Sequence, residues 1–210
     1  ITISAGTTTF TSGTTTIATN FTHSGGTFTH NSGTVTFDAS VDHIITGTNT
    51  WNILSFSEAS NDTTTSTITL PATLTQTIVT SLSLGGLDAN DLLTIISSSA
   101  GSPATFDMTS ASTLATPNFI SVKDNTILDN SSAFTTPVDP TNSVNVSGNT
   151  NWFGDSISGN VYTDEGVTAI ADGKVIKLLK NGTTVGTTTT SGGVGAYSFS
   201  AIVTSGDVIT

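Results

Sequence analysis

FTHSGGTFTHNSGTVTF, residues 21–37, holds the pattern that decides the fold. Phe21, Phe28, Val35 and Phe37 stand among Thr, Ser, His and Asn, and Gly25-Gly26 and Ser32-Gly33 interrupt the run. Phe-Thr-His occurs twice, at 21–23 and 28–30, and FTSG at 10–13 is a weaker echo. Alternation with a period of two marks a strand with one buried face, and glycine between such runs marks a turn. The stretch predicts a short Thr-rich strand, a glycine turn, and a strand again.

The same texture runs outward to about residue 122. Strands are predicted at 2–10, 14–17, 27–30, 34–37, 43–45, 51–56, 67–70, 76–84 and 92–96. Breaks fall at Gly13, Gly25-Gly26, Gly33, Gly47, Ser60-Asn61-Asp62, Gly85-Gly86 and Gly101-Ser102-Pro103. Residues 82–93 come nearest to a helical period, and Gly85-Gly86 interrupts them. Many short strands allow a sandwich or a solenoid. Locally recurring motifs, small-residue gaps and few Asn-Gly or Asp-Gly hairpin signals favour a parallel β-helix. Coils of about 20 residues rising about 4.8 Å each would give roughly six coils and a rod near 30 Å long.

Composition agrees. Hydrophobic residues make up 35% of the 210 and charged residues 9%, and about one residue in five is Thr. Thr is β-branched, suits a pleated surface and keeps a hydroxyl outward. The net charge is −11, from 15 acids against four lysines and no arginine. Nucleic-acid binding depends on neutralising phosphates with basic residues, so it is excluded as a class, and contact with an anionic membrane is disfavoured. There is no Cys, hence no thiol chemistry, Cys-based zinc site or disulfide. No apolar run approaches the roughly 18 residues of a membrane span, so no membrane insertion is expected. The chain opens at Ile1 without Met or a basic leader, the pattern of a mature or excised segment.

From residue 108 to 153 the pattern loosens. Pro117, Pro137 and Pro140, with Asp124-Asn125 and Asp129-Asn130, read as extended loops around one further strand at 118–123. VNVSGNTNWF (144–153) then resembles ITGTNTWN (45–52), each with Gly four residues before its Trp. Past Gly154-Asp155 the texture changes, and three of the four lysines and both tyrosines lie there. Strands are predicted at 156–162, 174–179, 183–190, 196–202 and 207–210, with Asn181-Gly182 as a hairpin turn. The organisation expected is a β-solenoid stalk over 1–153, looser from about 108, followed by an incomplete sandwich over 154–210.

Two stretches resemble known families. TFTHNSGTVTFDASVDHIITGTNTWNILSF (27–56) resembles the β-strand-repeat regions of large bacterial cell-surface and secreted adhesin-like proteins. That resemblance implies a parallel β-helix stalk over about the first 150 residues. GNVYTDEG (159–166), DGKVIKL (172–178) and GAYSF (195–199) are similar to carboxypeptidase-regulatory-like and Cna-B-type domains, the prealbumin-like β-sandwiches of surface proteins. The signature there is G-x-V-x-x-D, a Val/Leu strand, then G-x-Y-x-F. Some of those families form a Lys–Asn isopeptide bond assisted by an acid. Lys174, Lys177 and Lys180 would supply the amine and Glu165 or Asp164 the acid, but 207–210 carries no Asn.

The chemistry-bearing residues are few. His23 and His30 occupy equivalent places of a repeated motif, with His43 further on. A metal site needs three or four convergent ligands, and no Cys or carboxylate pair accompanies them. Calcium suits the acidic turns better: Asp62; Asp88 with Asp91; Asp124 with Asp129; and above all Asp164, Glu165 and Asp172. Solvated turns are the plain alternative. No other cofactor is expected. Trp51 and Trp152 read as aromatics closing a coil, with a carbohydrate-stacking platform as the alternative. Enzyme activity is not expected. Glycoside hydrolysis needs two carboxyls facing one bond, whereas Asp38 and Asp107, the near-strand acids, have no partner in their own motifs, and no G-x-S-x-G elbow is present. Asn-x-Ser/Thr sequons occur at Asn20, Asn61, Asn130, Asn145 and Asn181, and several are expected by chance in a chain so rich in Ser and Thr.

The expected fold is all-β, a Thr-rich parallel β-helix followed by an Ig/prealbumin-like β-sandwich. The expected function is that of an extracellular structural or adhesive protein, a secreted, repeat-built stalk or filament subunit of a microbial cell surface. Its partners would be copies of itself or further domains, joined through sheet edges, because residues 1–4 and 207–210 read as unfinished strands. The alternative is a polysaccharide- or receptor-binding module of a surface or phage fibre protein.

Overall fold

The structure, a computed structural model, describes residues 1–38, 41–57, 65–131, 136–201 and 206–210. Asn61 and Asp62, with the break at 60–62, and Ile202 of the predicted strand at 196–202 lie outside the described residues. Those described are strands, turns and bends, with no helix among them. The chain divides into two compact units, Ile1–Trp152 and Phe153–Thr210.

The first unit is built from parallel ladders. Thr14–Ile17, Thr34–Asp38, Asn49–Ser57, Thr75–Gly85, Ala104–Met108 and Asn125–Asp129 pair in that order in one sheet. In a second sheet His43–Ile44, Thr67–Leu70, Leu93–Ser97, Ile120–Lys123 and Val144–Ser147 do the same. Phe21 bridges to Ile45, which extends that row to the pair Thr2–Ile3 and Thr22–His23, so two strands and five make seven rungs. The chain returns to its ladder after twenty residues at Thr14↔Thr34 and after thirty at Thr75↔Thr105.

Period two explains why the ladders hold. Ile17, Phe37, Phe56 and Leu84 are register partners on one buried row, and Val35, Leu54 and Leu82 form the next. Phe37 and Phe56 stack at 4.9 Å, with their planes 21° apart. The alternate positions Thr16, Thr36, Ser55 and Ser83 make an outward row of small hydroxyls. Between Ile78 and Ser81 the register slips against Asn49–Ser57. There Thr80 donates to Asn52 Oδ1 at 2.7 Å. The bulge keeps Ile78 and Leu82 both buried on either side of the irregularity.

Every rung turns into its next strand through a left-handed residue. Gly6, Gly26, Gly47, Thr73, Gly101, Asp124 and Gly148 have φ of 70, 83, 78, 60, 73, 50 and 68°. Asp124 alone separates Ile120–Lys123 from Asn125–Asp129, which belong to different sheets. The looser region expected beyond residue 108 therefore contains strands at Thr113–Leu114, Ile120–Lys123, Asn125–Asp129 and Val144–Ser147. The Asp-Asn pair at 124–125 is a corner and the start of a strand. Asp tolerates the left-handed region because its short polar side chain bonds locally.

The second unit is antiparallel. Asp155–Asn160 pairs with Ala196–Ala201, and Val175–Lys180 with Thr183–Thr189. Asn181 and Gly182, at φ 52 and 83°, form the hairpin turn that the sequence indicates. Lys180 also bridges Ile209. The core is small: Leu178 and Phe199, flanked by Ile157, Ile176, Tyr197 and Ile209. Within Thr183–Thr189, position 186 suits glycine because a Cβ there would come 2.9 Å from the Phe199 ring.

Phe37→Ala is expected to cost about 3–5 kcal/mol, the range for emptying a buried Phe site. Gly47→Ala should lose about 1–2 kcal/mol from the left-handed backbone alone, and its methyl would also collide with the His23 carbonyl. Urea unfolding of each variant measures both values.

Candidate functional site

The interior of the first unit is not wholly apolar. Asn49 and Gln76 are register partners, 2% and 0% exposed, among the aromatic rings. Asn49 Nδ2 donates to Gln76 Oε1 at 3.0 Å and to the Thr46 and Gly47 carbonyls at 3.1 Å. Trp51 Nε1 donates to the same Gln76 oxygen at 3.0 Å, and Gln76 Nε2 donates to the Gly47 carbonyl at 2.8 Å. With its nitrogen so occupied, Asn49 offers Oδ1 as an acceptor, 2.8 Å from His23 Nδ1, so that ring nitrogen carries the proton. Phe21, Phe28 and Phe37 surround Trp51, with ring centroids at 4.9, 5.1 and 6.4 Å.

The second tryptophan repeats the arrangement. Trp152 is fully buried and donates to Asn125 Oδ1 at 2.8 Å, with Phe106 at 6.4 Å. The TGTNTW and SGNTNW segments thus each place a left-handed glycine four residues before an indole that enters the core. Neither Trp51 nor Trp152 presents a ring face to a sugar, because each is 0% exposed. Gln76 and Asn125, the amides that hold the indoles, were not singled out in the sequence. A polar residue at an inward position of an alternating run was the available signal.

Several carboxylates accept hydrogen bonds from amide groups, some local and some from a neighbouring rung or strand. Asp42 accepts from the Thr67 amide, Asp107 from Asn130 Nδ2 and Asp129 from the Ser131 amide. Asp164 accepts from the Val167 and Thr168 amides at 2.9 and 2.8 Å, and Asp172 from the Gly193 amide at 3.0 Å. These two and Glu165 lie in exposed turns. Among the described residues no three His, Asp or Glu side chains gather as metal ligands. His30 Nδ1 accepts from the Ser32 amide, and His43 Nδ1 donates to the Thr19 carbonyl at 2.6 Å, so the three imidazoles have separate partners. Lys180 pairs with Asp207 at 2.8 Å. Asp91 stands apart: it is fully buried, and neither carboxylate oxygen has a hydrogen-bond partner.

Comparison with protein-family models, curated proteins and solved structures gives no match.

Gln76→Leu leaves the buried Trp51 Nε1 without its acceptor, while Asn49 Nδ2 and the Gly47 carbonyl keep their bond to each other. A loss of about 1–3 kcal/mol is expected from the stranded indole N–H, read by denaturant unfolding. A second prediction concerns pH. The Thr168 hydroxyl first, then the Thr168 and Val167 amides, hold the Asp164 carboxyl below its ordinary value of 3.8. A depressed carboxyl stabilises the fold above its unfolded value, and that contribution is lost as pH falls through the folded value. Hydrogen exchange at Val167 and Thr168, corrected for intrinsic rates, should lose protection below about pH 4, and Asp164→Asn should flatten that dependence.

Proposed function

We propose that the chain is an extracellular structural and adhesive element of a microbial surface. In this reading residues 1–152 form a parallel β-helix stalk, and the remainder forms a prealbumin-like sandwich joined to it in sequence. The observation that carries the reading is the seven-rung parallel ladder with an apolar interior and outward Thr and Ser rows. Such a ladder is one-dimensional. Each rung touches its neighbours, so length can be added without redesign, and seven rungs at about 4.8 Å span roughly 30 Å. A weakly charged hydroxyl surface suits a mechanical spacer exposed to water and salt. The adhesin-like resemblance at 27–56 and the surface-domain resemblance beyond residue 157 point the same way.

The first rung supports assembly through strand edges. Among the described residues, Thr7–Thr9 pairs with Thr27–Thr29 alone. Thr27 N donates to the Gly6 carbonyl and Phe10 N to the Thr29 carbonyl. In a parallel ladder the groups of Thr7 and Thr9 then face away from that partner. An open edge of this kind is a template for another strand.

Negative-stain electron microscopy across a concentration series tests the proposal. Rod-shaped particles that join end to end are expected. Thr9→Pro removes one outward N–H without breaking the 7–9/27–29 pairing, and should leave single rods. Compact particles at every concentration would contradict the stalk, and filaments undiminished by Thr9→Pro would contradict the edge mechanism.

A further inference from the structure

The outward side of the first parallel sheet differs in chemistry from that of the second. Thr16, Thr36, Ser55 and Ser83 are successive register partners on the side opposite the buried Phe37 and Phe56. Thr75, Thr105, Thr126 and Thr150 form a second outward row of the same sheet. Thr14 with Thr34, and Thr50 with Thr77, begin two more. Ile53, Asp107 and Leu128 interrupt the latter two, and no lysine stands in any of the four. The second sheet is mixed: Ile44, Thr69, Ile96 and Lys123 are successive partners in one of its outward rows.

The first sheet therefore carries a regular net of hydroxyls. Adjacent parallel strands lie about 4.8 Å apart, and alternate residues along a strand about 6.6 Å apart. Thr14 and Thr16, Thr34 and Thr36, and Thr75 and Thr77 each supply the longer step, and the rungs supply the shorter one. Thr7 on Thr27 and Thr9 on Thr29 repeat the pattern, and all four are exposed. β-Branching leaves each threonine few rotamers, so the net is largely set before anything binds. Every hydroxyl can both donate and accept.

The fitting partner is itself an uncharged, repeating array of donors and acceptors. Oxygens on the prism face of hexagonal ice form a rectangular net with repeats of similar size. Crystalline polysaccharide is the other uncharged lattice, but stacking on its sugar faces calls for exposed aromatic rings. Trp51 and Trp152 are both buried, and no aromatic stands in these rows. We propose that the outward threonine and serine rows of the first sheet bind the surface of ice. One hydroxyl gains little by exchanging liquid water for ice, so the binding comes from many held at once at fixed spacing. An ammonium group in the net would break it, because it is a strongly hydrated point charge. Ice binding goes beyond the stalk reading and needs the paired rows alone, whether or not rods join end to end.

Slow growth of ice from a dilute solution of the full chain should enrich the protein in the ice, where ordinary solutes are excluded. Crystals held just below their melting point in the same solution should stop growing and become faceted. Thr36→Lys combined with Thr77→Lys should return both readouts to those of a protein that does not bind ice. Thr69→Lys combined with Thr94→Lys, on the outward side of the second sheet, should leave them unchanged. Exclusion of the unaltered chain from ice, or undiminished enrichment of the first variant, would overturn the proposal. Retention on chitin or cellulose with no enrichment in ice would overturn it too. Circular dichroism checks that each variant folds. Should the first variant unfold, Thr16→Lys, at an exposed position of the same net, takes its place.

Discussion

One backbone demand recurs at every rung of the first unit: the chain must leave one parallel sheet and enter the next within a few residues. A left-handed residue at each corner meets it, and five of the seven are glycine. The left-handed region costs a residue with a Cβ about 1–2 kcal/mol, so glycine is the ordinary solution. Space adds a second reason. A Cβ at Gly26 would run into Ala5 and Gly6 of the preceding rung, and one at Gly148 into the Asp124 carboxylate. Corners therefore stack as closely as strands do. The alternation that keeps Phe37, Phe56 and Leu84 on one buried row depends on that stacking.

Given the corners, the interior selects the register. Apolar rows alone would tolerate slippage by two residues, since period two would still bury them. The amides of Asn49 and Gln76, the Trp51 indole and the Gly47 carbonyl satisfy one another in one alignment. A slip would strand several buried donors, each costing about 1–3 kcal/mol. Polar residues in this core thus act as alignment marks. Outside, Thr and Ser occupy the positions that charged residues hold in most proteins, and acids such as Asp88 and Asp164 sit in turns, where backbone amides use them.

Much of this was legible at particular residues. The repeated Phe-Thr-His motif, the glycine breaks at Gly25-Gly26 and Gly47, and the Asn181-Gly182 turn all marked local structure correctly, because each is a short-range preference of a few residues. The corner at Asp124 was not legible: Asp-Asn beside Pro-rich sequence reads as loop, and only the ladders on either side convert it into a one-residue bend. The tryptophans were legible as repeats. Their burial was not, since an indole beside Thr and Asn can face either way until a neighbouring rung supplies an amide acceptor.

By itself, the sequence determined the strand-rich class, the turn positions and the charge distribution, because propensity, alternation and glycine act over a few residues. The tertiary structure decided which strands are partners, which Asn and Gln enter the core to hold Trp51 and Trp152, and which acid is left without a partner. In the parallel ladders of the first unit those choices join residues nineteen or more positions apart. Asp88 and Asp91 look equally solvated as letters. Among the described residues, burial and unmet hydrogen bonding separate Asp91 from the other turn acids, and both are properties of the assembled fold.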